Sequence, residues 1–287
     1  MRLLPLRPDE KLPLTNDGHL WCFFIGTGSM FALKYFQTNF LVVKGQDHLL
    51  VDFGMTGPMA LSSTARRQAV DIRAVLVTHA HEDHAGGVGY LALANRYIGI
   101  PFMKAPKTKL VVAPPFEPLF WEHTLRGSLG WNEGDPSGGR NLSLPDYFDV
   151  LHPAPLEGRE RETWSVDVGS IHVELFRTRH IPEEAATWKD AWYSYGLCVD
   201  GRLFFSGDSQ FDQGLVDDYE ARGVQHYFHD VQFFPGAVHA PLADLRTLPD
   251  SVKQRMWLMH YSDNVDSQDP SGFAGWAQQG VIYDFDA

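Results

Sequence analysis

The sequence predicts an α/β protein in which two sheets are layered between helices. Three observations carry this. Short β-branched or aromatic apolar runs recur along the chain, helical patterns alternate with them, and a segment rich in His and Asp follows directly on one buried run. With 287 residues, 44% of them apolar and 13% aromatic, the chain can bury a large core, and one domain spanning residues 1–287, or two fused half-domains, is expected.

In chain order, the opening MRLLPLRPDEKLPL is broken by Pro5, Pro8 and Pro13. It offers no apolar stretch of the length a signal peptide or membrane span needs, so a soluble cytoplasmic protein is expected. From Leu20 the runs WCFFIGTG, NFLVV and HLLVDFG, separated by Gly, Asn, Gln and Asp, read as successive strands of a first sheet. Residues 58–71 read as a helix, AVLVT as a buried strand, GGVGYLALANRYIG as a helix and KLVVA as a short strand. Residues 114–162, rich in Pro, Gly and Trp, read as an irregular insertion. Strand patterns resume at WSVDV and SIHVELFRT, then at YSYGLCVD and GRLFFSGD, and again at QHYFHDVQF and RMWLMHY. No fixed-period repeat or low-complexity tract interrupts them.

There are 24 basic and 36 acidic residues, a formal charge of −12, which works against sequence-independent binding to nucleic-acid phosphates. Cys22 and Cys198 lie in apolar strand-like runs and read as packed, reduced thiols.

The chemistry concentrates in THAHEDHAGG, residues 78–87. His79 and His81 are two apart, so in an extended or tightly turned segment their imidazoles can converge on one ion, while Asp83 and His84 face a second. Imidazole and carboxylate donors suit zinc, iron or manganese, and a set without Cys differs from the thiolate sites typical of structural zinc. With 13 His and 24 Asp in 287 residues, roughly 0.002 chance matches to this four-residue pattern are expected, and its position at a strand end is the context that makes a motif informative.

HAHEDH resembles the HxHxDH signature of the metallo-β-lactamase superfamily, and the likeness runs along nearly the whole chain. The resemblance implies an αββα metallo-β-lactamase sandwich with a two-metal cleft. LLVDFG is similar to the strand that precedes the signature, with Asp52 where the family places an acid that braces the metal loop. RTRHIP, FFSGDS and WLMHYS resemble the segments that carry the remaining ligands, which implies His180, Asp208 and His260. By that similarity His79, His81 and His180 hold one divalent transition metal, Asp83, His84 and His260 the other, and Asp208 bridges. Zinc is the first choice, with manganese or iron as alternatives. For the third ligand His180, which follows its strand, is preferred to His152 and to His172, which sits inside SIHVELF.

QHYFHDVQFF and AVHAPLADLRTLPDSVKQRMWLMHYS resemble the C-terminal block of ribonuclease Z-like phosphodiesterases. In that branch an acid follows a His at a strand end and a further His precedes the last ligand, which implies Asp230 and His239. Here the acid is Asp where the branch usually has Glu, and Ala240 follows His239 where the branch has a hydroxyl. A carboxylate beside an imidazole favours imidazolium, which can protonate a leaving alkoxide. The implied reaction is hydrolysis of a small nucleotide phosphodiester by metal-activated water, as in the cyclic-nucleotide-degrading members, with Asp83, Asp230 and His239 as catalytic residues and a homodimer as the assembly. Two other reactions stay open on the same fold: tRNA 3′-end endonuclease activity of the ribonuclease Z type, and hydrolysis of a lactone, thioester or sulfate ester. A metal-binding scaffold without turnover is the alternative outside catalysis.

Trp188, Trp192, Tyr193 and Tyr195 follow His180 closely enough to stack on a nucleobase, or simply to pack the YSYG strand. Between Pro114 and Asp167 there are four basic residues (Arg126, Arg140, Arg159, Arg161) against ten acidic ones. A tRNA-gripping arm needs the opposite sign, so the insertion is expected to act as a lid or dimer contact around a compact substrate, with Trp121, Trp131 or Trp164 as packing anchors.

Overall fold

The bulky apolar runs do become strands, and each half of them forms its own sheet in a computed structural model that describes residues 1–133 and 141–287. Two compact units divide the chain. The first comprises Met1–Gly26, Asn39–Pro153 and Gly280–Ala287, the second Thr27–Thr38 and Ala154–Gln279.

The sheet of the first unit contains β1 (Arg2–Pro5), β2 (Trp21–Gly26), β3 (Asn39–Lys44), β4 (Asp47–Val51), β5 (Ala74–Leu76), β6 (Thr108–Val111), β7 (Phe148–Leu151) and the last strand of the chain, β16 (Val281–Asp284). Its order is β1-β16-β2-β3-β4-β5-β6-β7, antiparallel as far as β4 and parallel from β4 to β7. Every residue of β2 and β5 is buried, as expected for strands covered on both faces. The helix expected over 58–71 is instead an α-helix at Gly57–Thr64, opened by Pro58, and a separate 3₁₀ turn at Ala69–Asp71. The helix from Val88 continues to Met103 through a π turn at Asn95–Gly99. In the segment that reads as irregular, helical turns span Glu117–Leu129, a short helix forms at Leu144–Tyr147, and β7 joins the sheet edge. Arg140 and Asp135 of that segment lie outside the described residues.

The sheet of the second unit contains β8 (Ala154–Pro155), β9 (Thr163–Val168), β10 (Ile171–Arg177), β11 (Tyr195–Val199), β12 (Leu203–Phe205), β13 (His226–Asp230), β14 (Met256–Met259) and β15 (Gly275–Trp276), hydrogen-bonded in sequence order. Strands β8 to β12 pair antiparallel and β12 to β15 parallel. Because β10 and β12 are both antiparallel to β11, strands β10, β12, β13 and β14 all point the same way. Their C-terminal ends therefore share one edge, the edge at which open α/β sheets place their functional loops. The helix Gln213–Ala221 covers this sheet. Asp212 caps it by accepting the Leu215 N–H at 3.0 Å, and its inner face puts Leu215, Val216 and Tyr219 on Phe176 and Phe204. The Tyr219 and Phe176 rings lie 4.7 Å apart.

Cys22 and Cys198 are buried free thiols, and burial pushes the Cys198 thiol up to about 12, which leaves both unreactive. Among the described residues no helix is long and apolar enough to cross a membrane.

Candidate active site

In the first unit the donors sit where two parallel strands end. Asp52 follows β4 and Thr78–His79 follow β5, so the strand pairing brings Asp52 to the root of the His-rich turn. Asp52 is buried and takes the left-handed backbone conformation (φ 58°), which costs about 1–3 kcal/mol for a non-glycine residue and marks a position held by its surroundings. Its Oδ1 accepts the Thr78 N–H at 2.8 Å, and its Oδ2 accepts the Thr78 hydroxyl and His84 Nδ1–H, both at 2.7 Å. Burial pushes this carboxyl up, and the contacts from His84 and Thr78 oppose that push. The bond to His84 fixes its tautomer and points Nε2 outward, 3.5 Å from Asp83 Oδ2. His79, Asp83 and His84 are buried, the His79 and His84 ring centroids are 4.2 Å apart, and those of His79 and His81 are 4.6 Å apart. The glycines of HAGG serve this turn. A Cβ on Gly87 would lie 2.5 Å from the Gly54 carbonyl, so only glycine lets the segment fold against the loop after β4.

In the second unit four strand ends supply the donors. His180 lies three residues beyond β10, Asp208 three beyond β12, Asp230 ends β13, and His260 follows β14. His180 is fully buried and its Nδ1–H donates to the Val238 carbonyl at 2.9 Å, leaving Nε2 directed at Asp208 Oδ2, 3.7 Å away. His260 presents Nε2 to the same oxygen at 3.6 Å from a left-handed backbone (φ 59°). Asp208 is thus shared by two imidazoles. It is reached through Gly207 (φ 58°), where a Cβ would sit 2.4 Å from the Tyr195 carbonyl. His180, Asp208, Asp230, His239 and His260 all belong to this unit, whereas the exposed alternatives are paired elsewhere: His152 with Glu117 and His172 with Asp167.

His239 stands in the loop after β13. Its Nδ1–H donates to Asp230 Oδ2 at 2.8 Å and lies 3.9 Å from Asp208 Oδ2, and its side chain keeps 22% exposure, so one edge faces solvent. Asp230 is fully buried. Burial alone would raise its carboxyl, but hydrogen bonds from His229 and His239 hold it below its usual range, as a carboxylate. The Ser209 N–H donates to Asp230 Oδ2 at 3.1 Å, and Ser206 Oγ accepts the Asp230 N–H at 2.9 Å. Asp208, Asp230, His239 and His260 offer ligand atoms within 4.8 Å of one another. The donors of both units are imidazole and carboxylate, which fits a divalent transition metal.

Thr78, Ser206, Ser209 and Val238 act here without having been identified from sequence. Ser209 and Val238 contribute backbone groups, for which residue type carries no signal, whereas Thr78 could have been found as the hydroxyl next to the first candidate ligand.

A family model described as anti-Pycsar protein Apyc1 matches residues 20–283. The anti-Pycsar protein Apyc1 of Paenibacillus harenae is 37% identical over 243 residues, covering 84% of this chain and 90% of that one. That of Bacillus phage BSP38 is 33% identical over 264 residues, covering 90% and 96%. Among solved structures, a diphosphatase of the PhnP family superposes with a TM-score of 0.66 at 13% identity, over 93% of this chain and 98% of that one. The short form of human tRNase Z gives 0.63 at 15%, over 93% and 100%, and Zn²⁺-bound PqqB from Methylobacterium extorquens 0.61 at 13%, over 92% and 100%. Two mixed sheets with helices, matched over this length, make the fold the α/β metallo-β-lactamase fold.

Proposed function

Taking as premise that this chain belongs to the anti-Pycsar protein Apyc1 family, we propose that it is a metal-dependent phosphodiesterase that hydrolyses a small cyclic nucleotide. The observation that carries the phosphodiester reading is the pairing of His239 with the buried Asp230 beside Asp208. In this reading His79, His81 and His180 hold one divalent transition metal, Asp83, His84 and His260 the other, and Asp208 serves both. The ligand order of the resembling family supports that division, with zinc first and manganese or iron as alternatives. Ions so held supply positive charge for the non-bridging phosphoryl oxygens and lower the pKa of water.

The chain's own residues do the rest. Asp52 holds His84 in the tautomer that offers Nε2, and the Val238 carbonyl does the same for His180. Asp83 contributes a carboxylate beside His84, where the incoming water must be oriented. His239, held through Nδ1 by Asp230 and reachable from solvent on one edge, donates a proton to the departing alkoxide of the ribose. A thioester, whose thiolate leaves without a proton, has no comparable need for an acid, whereas a lactone, which also releases an alkoxide, is separated from the diester by the ranking assay. The acidic balance of residues 114–167 supports a compact substrate over tRNA. A cytoplasmic homodimer completes the proposal, the dimer resting on resemblance to the branch and the compartment on the two unpaired thiols.

The testing experiment ranks turnover of metal-loaded protein on bis(p-nitrophenyl) phosphate, a lactone, a cephalosporin, a precursor tRNA and a panel of 3′,5′-cyclic nucleotides at one salt concentration. Cyclic nucleotides should rank first. Efficient tRNA processing or lactone hydrolysis without cyclic-nucleotide turnover would replace the reading.

A further inference from the structure

The four aromatic residues that follow His180 have different fates. Tyr195 is fully buried in β11, and Tyr193 packs against the Arg177 guanidinium, whose Cζ lies 4.5 Å from the ring centroid. Trp188 is half-buried with Lys189 Nζ over its ring at 5.4 Å and Arg177 Cζ at 5.9 Å. Of the four, only Trp192 is open to solvent, at 64% exposure.

Its backbone is nonetheless held on both sides. The Trp192 N–H donates to the Ile181 carbonyl at 2.8 Å, and its own carbonyl accepts from Arg177 Nη2 at 3.4 Å. The same nitrogen donates to the carbonyls of Ala191 at 2.8 Å and Trp188 at 3.1 Å. Arg177 is buried at the end of β10, its charge offset by Glu162 at 3.6 Å. Asp190 closes the turn from the other end by accepting the Thr187 N–H and hydroxyl. The β10–β11 ladder pairs Arg177 with Tyr195, and extending it three residues sets Trp192 opposite His180. The observed bond to Ile181 keeps it within one residue of that position. An indole exposed to solvent on a backbone held at both its N–H and its carbonyl is a contact surface whose main-chain ordering cost is met before any ligand arrives.

The geometry points to Trp192 as the residue that stacks on the base of the substrate, with Arg177 as the positioning residue that fixes its loop. This inference rests on the nucleotide reading above. A flat indole face accepts purines and pyrimidines alike, so Trp192 selects diesters that carry a base over those that do not.

KM and kcat of metal-loaded wild type, Trp192→Ala and Trp192→Phe protein are compared on a 3′,5′-cyclic nucleotide and on methyl p-nitrophenyl phosphate, a diester with no base. In Trp192→Ala the nucleotide KM should rise about tenfold with kcat nearly unchanged, Trp192→Phe should stay near wild type, and KM for the base-free diester should not move. An unchanged nucleotide KM, or an equal rise for both diesters, overturns the stacking role. Wild-type protein that cleaves the base-free diester but no cyclic nucleotide would instead overturn the nucleotide reading, and this inference with it.

Discussion

Replacing His239 with Ala should separate the proposed proton donation from metal binding. The His239 ring leans on Asp230 at 2.8 Å and stands 3.9 Å from Asp208, whereas His180 and His260 aim Nε2 at Asp208 from 3.7 and 3.6 Å. Its loss should leave the proposed ligands in place. Because Asp208, Asp230, His239 and His260 are close enough to hold an ion themselves, metal content is measured beside the rate. General acid catalysis contributes ~10²–10⁴-fold, so kcat on a 3′,5′-cyclic nucleotide should fall by about that factor while p-nitrophenyl diesters, whose leaving group needs no proton, lose less than about tenfold. In Asp230→Asn the charge-assisted hydrogen bond to His239 is lost. Such a bond contributes ~1.5–3 kcal/mol, which converts to about 10- to 150-fold, again confined to substrates with alkoxide leaving groups. Steady-state kinetics on both substrates with elemental analysis of each variant make the assay. Equal losses on both, or loss of metal from His239→Ala, would refute the acid role.

Asp52→Asn should weaken metal retention about 10- to 100-fold, read by competition with a chelator, because Asp52 orients both His84 and Thr78; unchanged retention would remove Asp52 from that role. Gly207→Ala meets the Tyr195 carbonyl and a positive φ, so a loss above about 2 kcal/mol is expected, and an unaltered Tm would contradict the close approach. His48 is buried, and burial together with Arg73 lowers it from 6.5 to about 4. The unfolded chain therefore binds a proton that the folded chain refuses: the contribution is complete above about pH 6.5 and is lost as pH falls toward 4, by at most about 3 kcal/mol. His48→Gln should flatten that stretch of the stability profile, and an unchanged slope would place the effect elsewhere.

Of the seven proposed ligands, His79, His180, Asp208 and His260 were legible because each sits within three residues of the end of an apolar strand, and His81, Asp83 and His84 because they share one closely spaced motif with His79. His172 was separable from His180 on the same ground: it lies inside β10, exposed, on Asp167. Long-range pairing was not legible. Strands β1 and β16 pair with each other across almost the whole chain, and neither has the apolar run that marks β2 or β3. The helical turns at Glu117–Leu129 were hidden by Pro118, Gly127 and Gly130, which signal breaks locally yet are accommodated at a helix start and end. Nor could sequence choose among the aromatics after His180, since only the folded Arg177 decides which rings it covers.

The most direct measurement follows a 3′,5′-cyclic nucleotide by ³¹P NMR with protein that has been stripped of metal and then reloaded with zinc or manganese. No reaction is expected when stripped, conversion to a nucleoside monophosphate when reloaded, and close to two ions bound per chain at full activity. Turnover that survives stripping, full activity with a single ion, or no conversion of any cyclic nucleotide by the reloaded protein would contradict the proposed function.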